Sequence, residues 1–178
     1  IESMFEKIRQ ELGNPDIVIN NAASGIQRNL NELETKHWDW AMNINARAAW
    51  LCAINASKTM KNGGHIINIT SQGSQRVLPF YFSVGTSKAA LEAATRYLAI
   101  EFAPKNIVVN AVSGGYVQTE ALDSFTNKDE MLKNSKTPTG QVVEATDVAK
   151  VVVFLCTPDA SMIRGQVIVV DGGSALQI

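Results

Sequence analysis

Cysteine is nearly absent from this sequence, neither sign of charge predominates, and no apolar run approaches the length that spans a bilayer. The two thiols, Cys52 and Cys156, lie in apolar stretches of helical spacing, which suits buried reduced thiols better than a disulfide framework. With 16 Lys and Arg against 17 Asp and Glu, there is no electrostatic footprint for nucleic acid or an anionic membrane. His37 and His65 lack Cys, His or acidic neighbours at ligand spacing, so no metal site is expected. No Gly-x-Ser-x-Gly nucleophile elbow occurs. The opening residues, Ile1-Glu-Ser-Met-Phe-Glu-Lys7, are too charged for a signal peptide, and a cytoplasmic protein whose partners are small molecules or protein is expected.

What is present is a strict alternation of element types. Residues 1–12 carry Ile1, Met4, Phe5, Ile8 and Leu12 on one helical face, ended by Gly13-Asn14-Pro15. Residues 16–20 form a short apolar strand that opens into the small-residue loop Asn21-Ala-Ala-Ser-Gly25. A long helix is predicted over 34–61, with Trp38, Met42, Ala46, Ala49 and Ala53 facing a core, and Gly63-Gly64 stops it. Strands follow at 65–70, 107–112 and 167–170, separated by helices at 80–103 and 147–156; the polar stretch 113–144 reads as a lid. Apolar strands alternating with helices predict an α/β fold, a Rossmann-type doubly wound parallel sheet in three αβα layers. At 178 residues and 46 % hydrophobic the chain suits a single domain. It begins inside an amphipathic pattern, and no Gly-x-x-x-Gly-x-Gly or Gly-x-Gly-x-x-Gly follows the first strand. The expectation is therefore the C-terminal portion, 1–178, of a longer Rossmann domain.

Tyr81 and Lys88 are seven residues apart, so if both are helical they project from nearly one face, roughly 10 Å apart along the axis. An ammonium near a phenol favours the phenolate, and such a phenol can stabilise an oxyanion or give a proton. In isolation the pair also reads as a packed phenol and a surface ammonium. Ser71 follows the second strand at its carboxyl end, where open parallel sheets bind ligands, or is an ordinary turn serine. Asn20-Asn21-Ala22-Ala23 ends the first strand with residues that permit close approach to a flat cofactor, or that simply brace a loop. Asn45 is either a capped or solvated helical position or one that faces the site and organises a water beside Lys88. After the third strand, Val112-Ser-Gly-Gly-Tyr-Val-Gln-Thr119 offers backbone groups and the Thr119 hydroxyl to a carboxamide or phosphate, or is a plain glycine turn. Asp171-Gly172-Gly173 reads as structural.

Taken together and in order, Asn20-Asn21-Ala22, Asn45, Ser71, Lys88, Asn110-Ala-Val-Ser-Gly-Gly115, Thr119, Gly165-Gln166 and Val170-Asp-Gly-Gly173 resemble the short-chain dehydrogenase/reductase superfamily across the whole chain. Most of that superfamily has Tyr-x-x-x-Lys, which would demand Tyr at 84, where this chain has Val84. Tyr81-x6-Lys88 resembles the enoyl-acyl carrier protein reductase branch instead. Asn20-Asn-Ala-Ala-Ser-Gly25, His37-Trp-Asp-Trp40, Ser87-Lys-Ala-Ala-Leu-Glu-Ala93, Met162-Ile-Arg-Gly-Gln166 and Gly114, where many relatives have Pro, are similar to its NADPH-dependent class III enzyme.

The resemblance implies hydride transfer from NADPH, with NADH the alternative, to a trans-2-enoyl thioester on acyl carrier protein or coenzyme A, in fatty acid biosynthesis. It implies Tyr81, Lys88, Ser71 and Asn45 as the catalytic set. Cofactor contacts are implied for Asn21, Ala22, Ala23, Lys88, Gly114, Gly115, Val117 and Thr119. It further implies a homotetramer or homodimer, and about 70 further residues upstream that would carry the opening strands and the pyrophosphate loop. Other enoyl reductases carry an additional Tyr at the position of Ser71. The rival expectations are a carbonyl reductase or alcohol dehydrogenase of the superfamily, with Ser71 and Tyr81 on a ketone oxygen, and a non-catalytic nucleotide-sensing protein on this fold.

Overall fold

The computed structural model describes residues 1–117 and 137–176. Four strands, β1 (Ile17–Asn20), β2 (Gly64–Ser71), β3 (Ile107–Gly114) and β4 (Val167–Val170), form one sheet in chain order, and every neighbouring pair is parallel. Parallel neighbours require a crossover each, and helices supply it: α2 (Thr35–Met42) and α3 (Ala48–Thr59) before β2, α4 (Phe82–Glu101) before β3, and α5 (Ala145–Leu155) before β4. Helix α1 (Glu2–Glu11) precedes β1 and packs through Phe5.

Successive strand residues point to opposite faces, and the two faces are covered by different helices. Ile66, Ile107 and Val109 pack with Phe5, Ala53, Ala56, Leu98 and Phe102 from α1, α3 and α4 or their ends. Ile67 and Val112 pack with Val152 and Leu155 of α5. The result is the expected three-layer arrangement, with β3 buried from Ile107 through Ser113.

Three local features depart from expectation. The long helix predicted over 34–61 is interrupted by a wide π-type turn at Asn43–Arg47. Every α-helical step of four residues overshoots a full turn by about 40°, and the wider turn takes up that drift, so that Ala41, Asn45, Ala49 and Ala53 all stay buried. The face is consequently rotated from the predicted one. Trp38 is 39 % exposed and rests on Phe82 with ring centroids 5.8 Å apart, and Met42 and Ala46 are only half-buried. Second, the helix predicted from 80 begins at Phe82, because Phe80 has φ 62°, a left-handed backbone that no α-helix accommodates. Third, Cys52 and Cys156 are free but only half-buried, although burial still pushes both thiols up from their ordinary pKa. Among the described residues no helix is long and apolar enough to cross a membrane.

Candidate active site

The carboxyl ends of β1, β2 and β3 meet the first half of α4, and the polar residues of the sequence motifs gather there. Asn20, at the end of β1, donates to Asn68 Oδ1 at 2.8 Å, and Asn68 donates to Thr95 Oγ1 at 2.8 Å. This buried ladder ties β1, β2 and α4 together and leaves Asn21, Ala22 and Ala23 exposed on the loop beyond. The loop is clasped from the helix side. Asn45, in the wide turn and 2 % exposed, accepts from the Ser24 amide and donates to the Ser24 carbonyl and to Ser87 Oγ, each at 2.8 Å. Both of its amide hydrogens are committed. It shares no hydrogen bond with Lys88. Next to it Gly25 lies so close to Val84 that a Cβ there would stand 2.3 Å from Val84 Cγ2. Position 84 is thus filled against the loop.

Lys88 is 5 % exposed and gives one hydrogen to the carbonyl of Ile69 in β2, at 2.8 Å. Burial of the ammonium lowers its pKa from 10.5 to about 8. Two of its three hydrogens remain for another partner.

Tyr81 is not helical; it is the residue immediately before α4, reached through the left-handed Phe80. The Phe80 carbonyl accepts from the Arg28 amide at 3.1 Å, which pins this unusual backbone to the β1–α2 loop. The Ser71 side chain lies beside the phenol. Burial raises the phenol pKa and the neighbouring Ser71 hydroxyl works against that rise. Ser71 ends β2 and accepts from the Gly73 amide at 3.2 Å, which starts the short helical turn Gln72–Ser74. The Tyr81 ring lies directly on that turn, since a Cβ on Gly73 would come within 2.5 Å of Tyr81 Cδ1. The short turn after β2 and the start of α4 thus bring Ser71 and Tyr81 to the same end of the sheet.

The pair stands between two hollows. One, of about 410 Å³, is lined by Ile19, Asn21, Ser71, Gly114, Gly115 and Val117 and closed by the apolar face of α5. The other, of about 360 Å³, is lined by Gly73, Leu78, Phe80, Tyr81 and Phe82, with Arg28 and Arg76 also on its wall. Ser71 faces the first and Tyr81 the second. Of the other expected residues, Val117 pairs with Val143 in an isolated bridge, and Thr119 lies outside the described residues together with most of the predicted lid.

Two acidic residues not expected at the site adjoin it. Glu92, on the Lys88 face of α4, binds Thr70, Ser74 and Gln75. Its four-residue spacing from Lys88 is the signal that could have found it. Asp171 accepts from Gln72 at 2.7 Å and from the amides of Gly173 and Ala175 at 2.8 Å. Burial pushes its carboxyl upward, yet these bonds outweigh it and hold the pKa below the usual range.

The family model described as Enoyl-(Acyl carrier protein) reductase matches residues 1–175. The chain is 36 % identical over 180 residues to 1-cyclohexenylcarbonyl-CoA reductase of Streptomyces collinus, covering 99 % of this chain and 64 % of that protein. It is 33 % identical to an NADH-dependent enoyl-[acyl-carrier-protein] reductase of Synechocystis, covering 97 % of this chain and 69 % of the relative. Among solved structures, an enoyl-(acyl-carrier-protein) reductase from Anaplasma phagocytophilum in complex with NAD superimposes with a TM-score of 0.92 at 27 % identity, over 99 % of this chain and 70 % of that one. The chain thus spans less than two thirds of the length of the Streptomyces relative.

Proposed function

Because the chain belongs to the enoyl-(acyl carrier protein) reductase family of short-chain dehydrogenase/reductases, we propose that the protein reduces a trans-2-enoyl thioester with NADPH in fatty acid biosynthesis. The observation that carries this reading is the placement of Ser71 and Tyr81 side by side between two hollows, with Lys88 buried beside the same strand end.

The first hollow has a donor set that fits the nicotinamide half of a dinucleotide. Asn21 and Ser71 offer side chains, Gly114 and Gly115 admit close backbone approach, and Ile19, Ile69 and Val148 supply flat apolar walls. A bound nicotinamide supplies the hydride. Lys88 would hold ribose hydroxyls with its remaining hydrogens, while Val117 and Thr119 would fix the carboxamide; the phenolate-favouring effect expected of Lys88 is not among the causes acting on Tyr81, whose pKa burial raises. Asn45 would keep Asn21, Ala22 and Ala23 in place through its clasp on Ser24.

In the second hollow the acyl thioester would lie against Leu78, Phe80 and Phe82. As hydride reaches the β-carbon, negative charge moves to the thioester oxygen, and the Tyr81 phenol stabilises that enolate. A raised pKa keeps the phenol protonated and able to donate. Ser71 orients it. The α-carbon then takes its proton. The phenol's place before the helix suits an oxygen two carbons from the hydride acceptor, whereas Val84, one turn before Lys88, is occupied with Gly25. Arg28 and Arg76 suit the phosphate that an acyl carrier or coenzyme A bears. The exposed Trp50, Tyr97 and Ile100 on α3 and α4 favour a homotetramer or homodimer through these helices.

NADH is the second cofactor reading, favoured by the Synechocystis relative's printed cofactor; NADPH is favoured by the likeness of the Asn20–Gly25 and Met162–Gln166 segments to the class III enzyme. A direct comparison of crotonyl and acetoacetyl thioesters tests the reaction. Oxidation of NADPH with the crotonyl thioester is expected, and oxidation with the ketone alone would show a carbonyl reductase instead.

A further inference from the structure

Glu92 is 4 % exposed in the middle of α4, and all of its partners are uncharged. One carboxylate oxygen accepts from Thr70 Oγ1 at 2.9 Å and from Ser74 Oγ in a short contact; the other accepts from Gln75 Nε2 at 3.1 Å. Thr70 immediately precedes Ser71, and Ser74 and Gln75 close the turn that follows it. Ser74 Oγ also lies 2.7 Å from the Ser71 carbonyl. A single carboxyl group therefore binds side chains on both sides of Ser71. The gripped turn contains Gly73, on which the Tyr81 ring rests. Taking a carboxyl group out of water is unfavourable, and an apolar residue at this helix position would avoid that cost. Its presence here calls for a role that an apolar side chain cannot fill.

We propose that Glu92 is a positioning residue for the reaction, holding the Thr70–Gln75 segment so that the Ser71 hydroxyl meets the Tyr81 phenol. It touches neither reacting atoms nor cofactor. The assignment rests on the enolate-stabilising role of Tyr81 given above, and it adds that the aim of the phenol is set from α4 through the turn.

The test is a double-mutant cycle in the intact enzyme, with crotonyl thioester as substrate and nicotinamide-cofactor binding measured separately. Glu92→Ala is expected to lower kcat about 100-fold, the effect of about 1 Å of misplacement, and to leave the cofactor Kd unchanged. Glu92→Gln keeps the shared acceptor for Thr70 and Ser74 and should restore most of the rate. In a Ser71→Ala background the same Glu92→Ala change should have little further effect, because the group it aims is gone. Should Glu92→Ala fail to fold, Ser74→Ala removes one donor without touching the helix and is expected to lower kcat about tenfold by the same misalignment. Full kcat in Glu92→Ala or, where that variant does not fold, in Ser74→Ala overturns the proposal. So does an equal loss with and without Ser71. Tyr81→Phe serves as the independent arm: normal turnover there removes the enolate reading itself, whereas an inactive Tyr81→Phe beside a fully active Glu92→Ala removes only Glu92.

Discussion

Two polar clusters sit a few residues apart at the same end of the sheet, and they are bonded in opposite ways. Around Asn45 both amide hydrogens are committed: buried Asn45 closes on buried Ser87 and on the backbone of half-buried Ser24. Around Tyr81, the phenol and Ser71 are half-buried and face hollows, and Lys88, though buried, gives only one of its three hydrogens to a partner among the described residues. A saturated cluster rigidifies; an unsaturated one on a rigid base can take a ligand. The contrast in bonding divides residues that the motif alone groups together.

The comparison can be broken from the Tyr81 side first. Gly73→Ala forces the Tyr81 ring away and is expected to cost about 100-fold in kcat with little change in the denaturation midpoint; steady-state kinetics beside a urea titration would check both. An unchanged kcat would mean that the ring's seat does not matter.

Lys88 gives the next largest effect. Its pKa is about 8 in the folded protein against 10.5 ordinarily, so between these values the unfolded chain binds more protons and stability should rise with pH. Below about pH 8 both states are charged and the burial cost is felt in full; above 10.5 it is gone. Over the same window the positive charge is lost from the site, so kcat should fall about tenfold per pH unit once the lysine titrates. Opposite trends in rate and in this contribution to stability, both flattened in Lys88→Met, are the expected signature.

The smallest catalytic effect belongs to Asn45→Ala. Removing it strands the Ser24 amide and carbonyl, a loss of about 2–3 kcal/mol in stability, read by chemical denaturation. The cofactor Kd should rise as the loop loosens, while kcat at saturating cofactor stays within about twofold, as expected for binding lost equally from ground and transition states. A kcat loss comparable to that of Gly73→Ala would erase the distinction between the clusters.

The sheet and its helices were readable because apolar runs such as Ile107–Gly114 leave few alternatives. The Tyr81 and Lys88 pair was readable from spacing only once Ser71 and the Asn and Gly motifs stood beside it. What escaped has physical reasons. The wide turn at Asn43–Arg47 changes the period on which helix patterning depends, so Trp38 was assigned to the core and Ala41 was not. Tyr81 was placed inside the helix because nothing in Pro79-Phe80-Tyr81 announces a left-handed phenylalanine. Glu92 looked like any helical glutamate, since its burial depends on a turn that folds back from another element.

That left-handed residue also bears on how the protein could be made sturdier. Holding a bulky side chain at Phe80 in this backbone costs about 1–2 kcal/mol, and glycine at the same place would relieve it. The relief would come at the hinge that carries Tyr81 out of the helix. Position 80 is where a search for thermal robustness and a search for turnover would select different residues.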